Sequence, residues 1–288
     1  MRFASSGCAN VSHMSNPQRG VQPGAYTTLR FERGAGASGH VLVVTIDNPA
    51  GDLNVVDEAL HADLTQLFGE LRTEHLARAV LLTGSKRAFC AGGDFAWFRE
   101  LRSVARLEAL RKDAKRMIWD LLDVELPIVC ALNGPAMGLG ASIALLCDAI
   151  FMADTATIGD PHVRVGIVAG DGGTAIWPLA LGPALAKRFL LTGDALQADE
   201  ALRVGLITHV SSASSLFDDA LAFADRLASS APLALAYTKA AVNKLVKDAL
   251  NVSFDVATGH ELVTFLSQDH AEAMSALAEK RTPQFEGK

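Results

Sequence analysis

The stretch "ALNGPAMGLGASIALLCDAIFMAD", residues 131–154, decides the fold. It closes the apolar run "PIVCALNG" (127–134), turns on glycines, continues as a glycine-led helix through Leu146 and enters a second apolar run, "CDAIFMAD" (147–154). Apolar runs bounded by glycine and proline read as strands covered on both faces, and a helix between two of them makes their connection parallel. The same alternation holds upstream. A strand, "HVLVVTID" (40–47), is followed by a breaker-rich loop, then by Val56, Leu60, Leu64, Leu67, Phe68 and Leu71 at helical spacing, then by the strand "AVLLTG" (79–84). A polar helix is expected from about Ala96 to Leu122 and a last strand at "GLITHV" (205–210). From 214 to 280 only helical patterns follow, with Pro232 near one N-terminus and Gly259 as an expected interruption. These patterns predict a polar, disordered tail over 1–24, an α/β core over 25–213 and a helical subdomain over 214–288 whose spare apolar surface suits assembly.

Composition limits the function classes. The chain has 288 residues, 50% of them hydrophobic, enough for a large buried core, and a net charge of -6 that steers it away from nucleic acid and from anionic membrane surfaces. No run reaches the roughly 18 apolar residues of a membrane helix, and the tail has no apolar signal core. Cys8, Cys90, Cys130 and Cys147 are scattered with no C-x-x-C pair, the pattern of reduced thiols in a cytoplasmic protein and not of a metal site.

Two glycine-rich turns follow strands, "FCAGGD" (89–94) and "NGPAMGLGAS" (133–142). Each is either a tight strand-to-helix connection or, if the two converge, half of an oxyanion hole built from backbone N–H groups. A dinucleotide fingerprint at Gly138-x-Gly140, with Asp160 about twenty residues on, fails because Ile143 stands where a glycine or alanine must pack. Downstream, "GDPHVRVGIVAGDGG" (159–173) sets His162 and Asp171 about a glycine turn, either a general base near neutral pH with a carboxylate to orient it or a polar residue in a turn beside an unrelated acid. Cys90 and Asp94 read as a packed residue and a helix cap. Trp97 and Phe98 fit either an acyl pocket or the core, and His40, His61, His75 and His270 read as structural or solvated.

"RAFCAGGDF", then "ALNGPAMGLGASIALLCDAIFMAD", "GIVAGDGG", "LLTGDALQADEALRVGLITHV", "PLALAYTKAAVN" and "AEAMSALAEKRTPQFEGK" come in an order and spacing that resemble the crotonase, or enoyl-CoA hydratase/isomerase, superfamily from about residue 40 to the end. The resemblance implies an α/β crotonase (ClpP-like) fold of repeated β-β-α units, a C-terminal helical trimerisation region, and a homotrimer or dimer of trimers. It implies an acyl-CoA substrate, coenzyme A entering only as part of that substrate and no bound cofactor. Its oxyanion donors fall on Gly93 and Leu139, the latter in place of the family's usual glycine. Ala91, Gly92, Gly138 and Ser142 would lie against the substrate, and Lys280 would reach the CoA of a neighbouring subunit.

The family's two hydratase glutamates are replaced, by Ser142 and His162. His162, Asp171 and the pair Trp177-Pro178 are similar to oxocamphor hydrolase, a family member that cleaves a cyclic β-diketone without CoA. Three readings follow: an acyl-CoA enzyme in which His162 and Asp171 handle protons, a CoA-independent β-diketone hydrolase, and a degenerate crotonase-fold binding protein.

Overall fold

The structure, a computed structural model, describes residues 20–101 and 103–288. Its strands are β1 (Leu29–Ala35), β2 (Val41–Ile46), β3 (Ala79–Gly84), β4 (Ile128–Leu132), β5 (Ala136–Met137), β6 (Ala149–Ala153), β7 (Thr157–Gly159), β8 (Ala195–Gln197) and β9 (His209–Ser211). Its helices are α1 (Glu58–Leu71), α2 (Phe95–Glu100), α3 (Val104–Asp123), α4 (Leu139–Leu145), α5 (Gly173–Leu181), α6 (Pro183–Thr192), α7 (Ala198–Arg203), α8 (Leu216–Ala228), α9 (Pro232–Phe265) and α10 (Gln268–Glu279). The main sheet runs β1-β2-β3-β4-β6-β9, antiparallel only at the β1 edge, and a small sheet runs β5-β7-β8. The expected parallel α/β core is present, and every residue of β4 and β6 is buried, as continuous apolar strands require.

Helix α1 shows how sequence becomes structure. The Asp57 side chain accepts the N–H of Leu60 at 2.8 Å, which starts the helix, and Leu60, Leu64, Leu67 and Phe68 then form a fully buried stripe. The polar segment after the first glycine turn is two helices, not one: α2 ends at Glu100, and Ser103 caps α3 by accepting the N–H of Arg106 at 3.3 Å. Helix α9 runs unbroken through Gly259, because the roughly 1 kcal/mol that one glycine costs is outweighed by burial of Phe254, Ala257 and Phe265 on the same face. The last strand is shorter than expected, starting at His209 after Gly205 turns in the left-handed region (φ 79).

Residues 1–19 of the expected disordered tail lie outside the described residues. Residues 20–24 are placed, with Val21 buried and its N–H held at 3.0 Å by Glu74. Past residue 213, α8 lies across β2, β3, β4 and β6, while α9 packs on α3 and α5, so both helices belong to the packing of the core. Helix α9 also carries exposed Leu233, Tyr237, Leu245, Val252 and Val263.

Asn54 fixes the first glycine turn. In a left-handed conformation (φ 48) that asparagine tolerates, its buried amide lies 3.0–3.3 Å from the carbonyl oxygens of Ile46, Ser85, Ala88 and Phe89, and its own oxygen accepts the Asn48 N–H at 3.0 Å. It ties the ends of β2 and β3 to the segment leading into Cys90–Asp94. Asn54→Ala strands these groups and is expected to cost about 1–3 kcal/mol, seen as a lower midpoint in thermal unfolding. An unchanged midpoint would contradict this role.

Candidate active site

The two glycine turns converge. An isolated parallel bridge joins Cys90 to Ala136, the Met137 N–H donates to the Cys90 carbonyl at 2.9 Å, and α4 starts directly after Gly138. Gly93 and Leu139 line the same cavity of about 60 Å³, together with His162, Asp171, Glu261 and Phe265. Neighbouring N–H groups are engaged, that of Asp94 to Val56 at 2.9 Å and that of Gly138 to Gly159 at 3.0 Å, while those of Gly93 and Leu139 donate to no protein acceptor among the described residues. Two unengaged N–H groups on one cavity, the second opening a helix, match the donors an oxyanion requires. Ala91, Gly92 and Gly138 line an adjoining recess.

His162 opens a short 3-10 turn that Asp160 and Pro161 lead into from β7. Its Nδ1 lies 2.5 Å from Asp160 Oδ1, and its Nε2 lies 3.6 Å from Asp171 Oδ2. The residue that holds the ring is therefore Asp160, two positions away in sequence. Asp171, expected to orient His162, faces its other edge and accepts the Ser142 hydroxyl at 3.0 Å. Gly138 makes the approach possible: at φ 53 it has no Cβ, and one there would sit 3.1 Å from His162 Cε1. Glu261 enters from α9, its carboxyl over Gly170, where any side chain would overlap it.

Electrostatics follow from that packing. Burial alone lowers the pKa of His162, but Asp160, Asp171 and Glu261 together raise it to about 10, so the ring is an imidazolium at neutral pH. Burial pushes Glu261 up to about 8, His162 opposing it and the two aspartates adding to it. Burial also raises Asp171, against His162 and the hydroxyl of Ser142. Donor atoms of Asp160, His162 and Asp171 lie within 4.8 Å of one another, yet the carboxylates address opposite edges of the imidazole, an ion-paired histidine and not ligands converging on one ion.

Other expected residues fall as follows. Ser142 is fully buried with its hydroxyl committed to Asp171, so it supports the site from beneath the surface. Trp97 and Phe98 line the cavity. Trp177 lies in the core against Phe189, apart from the cavity lining. Asp94 caps α2 through the Ala96 N–H at 2.9 Å, and Cys90 is buried with its thiol pushed up to about 12. Lys280 ends α10 in an exposed left-handed position (φ 55). Among the described residues Cys90, Cys130 and Cys147 are free thiols, and no helix is long and apolar enough to cross a membrane.

The enoyl-CoA hydratase/isomerase family model matches residues 36–288. The chain belongs to this family. It is 35% identical over 253 residues to (E)-benzylidenesuccinyl-CoA hydratase of Thauera aromatica, covering 87% of this chain and 97% of that one. An enoyl-CoA hydratase/isomerase structure from Mycobacterium paratuberculosis superposes with a TM-score of 0.80 at 35% identity, covering 86% of this chain and 98% of that one. A β-diketone hydrolase from Anabaena, bound to (S)-3-oxocyclohexyl acetic acid, gives 0.77 at 29% identity, covering 84% and 96%. The crotonase fold and the enzyme family expected from the sequence are thereby shown.

The buried charges predict a pH signature. His162 and Glu261 both bind protons more tightly folded than unfolded: the stability His162 adds is complete below its ordinary 6.5 and lost as pH rises through about 10, and that of Glu261 fades from 4.5 through about 8. Thermal midpoints should fall from pH 5 to pH 10, and Glu261→Gln should flatten the part below pH 8. A midpoint that rises across this range would contradict the assignment.

Proposed function

We propose that this family member is a lyase acting on an acyl-CoA thioester, adding water across, or removing it from, an activated carbon–carbon double bond. The observation that carries the reading is the pair of unengaged N–H groups, Gly93 and Leu139, facing one cavity with a cationic His162. Bound there, a thioester oxygen accepts both N–H groups, which stabilise the charge that develops on it; each such donor is worth about 3–4 kcal/mol. Water adds at the β-carbon while its proton passes to the carboxylate charge shared by Asp171 and Glu261, and the π electrons move to the thioester oxygen. The enolate then re-forms the carbonyl and takes a proton at its α-carbon from the His162 imidazolium. Transfer of the carboxyl proton back to the imidazole restores the starting state. His162 is thus the acid of the hydration direction, and Asp160 keeps its ring in place and charged.

The other roles form part of this proposal. Ala91, Gly92 and Gly138 shape the thioester side, Ser142 sets Asp171, and Lys280 meets CoA across a subunit boundary. The exposed apolar residues of α9 support assembly into trimers, since apolar area of that kind is the usual mark of an interface. A second reading, hydrolysis of a β-diketone by water attack at a carbonyl carbon with cleavage of the adjacent C–C bond, is supported by the likeness to the Anabaena enzyme and by a histidine at the position of a family glutamate.

Calorimetric titration with CoA and crotonyl-CoA separates the two. The thioester reading predicts binding of both, and hydration of an enoyl-CoA that falls about 10²–10⁴-fold in His162→Gln with thioester binding retained. Absence of any CoA-ester binding, together with acid release from cyclic diketones, would replace the first reading by the second.

A further inference from the structure

Two rings separate the catalytic cavity from a much larger space. His61 of α1 and Trp97 of α2, with Leu110 of α3, line both the cavity of about 60 Å³ and a cleft of about 860 Å³ between α1 and α3. The inner cavity is more than tenfold smaller than the cleft, so a long acyl arm extends out of it. The rings close this route, with centroids 5.6 Å apart and planes inclined 51°.

Both rings carry an unsatisfied polar atom. His61 Nε2 and Trp97 Nε1 are buried and have no hydrogen-bond partner among the described residues. A buried polar atom that has given up water recovers nothing until another group meets it, and native structures leave few such atoms without a reason. The indole N–H can only donate. Burial holds His61 neutral, with its pKa lowered to about 4 against the opposing charge of Asp113, so Nε2 donates or accepts according to tautomer. A group that meets Trp97 is therefore an acceptor. The surroundings decide its charge. Four acids, Glu58, Glu70, Asp113 and Asp120, line the cleft against three arginines, Arg72 and Arg116 sharing Asp120 at 2.6 and 3.4 Å and Arg106 lying 3.8 Å from Glu58, so the wall has one acid in excess and offers an anion no uncommitted cation.

We propose that the passage between His61 and Trp97 is a subsite for a neutral acceptor oxygen, a keto or hydroxyl group carried by the acyl arm beyond the reacting carbonyl, with the rest of the arm lying in the α1/α3 cleft. The subsite rests on the acyl-thioester reading above and narrows its substrate class to oxygenated acyl groups. Rotation of Trp97 out of the passage opens the route and brings its N–H to the oxygen.

The test is calorimetric binding of octanoyl-CoA and of its 4-, 5-, 6- and 7-oxo counterparts, which lack the reacting double bond, alongside CoA-free 1,3-diketones with and without a distal keto group. The readout is the ratio of affinities within each matched pair, so a general loss of binding cancels. One oxo isomer is expected to bind about tenfold more tightly than octanoyl-CoA, and both Trp97→Phe and His61→Phe, which keep a ring in place, should bring that ratio towards one. Acyl-CoA binding with no oxo preference, or with a preference that survives both substitutions, overturns the subsite and leaves the thioester reading standing. A preference found only among the diketones, and lost in the variants, keeps the subsite and overturns the thioester reading. Binding of neither class overturns both.

Discussion

The contact between Asp160 and His162 is the constraint on which the site depends. It places a cation where burial opposes one, and the surrounding chain is arranged to sustain it. Asp160 leaves the end of β7, Pro161 turns the backbone, and the imidazole lies beneath Gly138, where a side chain would be strained by the positive φ and would crowd the ring. Asp171 and Glu261 complete the environment from two further segments. Neutralising one partner of such a cluster leaves the others buried without compensation, which is why buried ion pairs are costly to break even when they add little net stability.

The fold serves this cluster by bringing strand ends together. The parallel order β2-β3-β4-β6 sets the two glycine turns side by side, and Asn54 anchors the first of them through the backbone carbonyls around it. The second turn gains its rigidity from α4, which starts at Leu139. Leucine at 139 keeps the backbone N–H on the cavity and adds a side chain packed against the core. The acid-base groups then determine what a common carbonyl-polarising frame is used for.

Much of this was legible in the sequence because the signals were local. Apolar runs marked β2, β3, β4, β6 and β9 of the main sheet, while the edge strand β1 and the short strands β5, β7 and β8 had no run long enough to stand out, and His162 stood out by its place in the matched motif. Asp160 is hard to see from sequence, since its spacing from Gly140 suits a ribose ligand and nothing in a two-residue separation from His162 marks a contact; in the fold Pro161 lies between them and the Asp160 carboxylate meets the ring. Glu261 lies 99 positions from His162 in a helix read as assembly surface. Its signal was a lone acid on the buried stripe Phe254, Ala257, Thr258 and Phe265. The pairing of Ser142 with Asp171 needs the packing of α4 against α5, which no periodicity reveals.

A cationic His162 at neutral pH is the central claim, and nitrogen-15 NMR of the histidine side chains tests it most directly. With the His162 resonance assigned by its loss in His162→Gln, the account predicts two protonated ring nitrogens at pH 7 and deprotonation only as the pH approaches 10. A neutral ring at pH 7, titrating near the ordinary 6.5 of histidine, would contradict it.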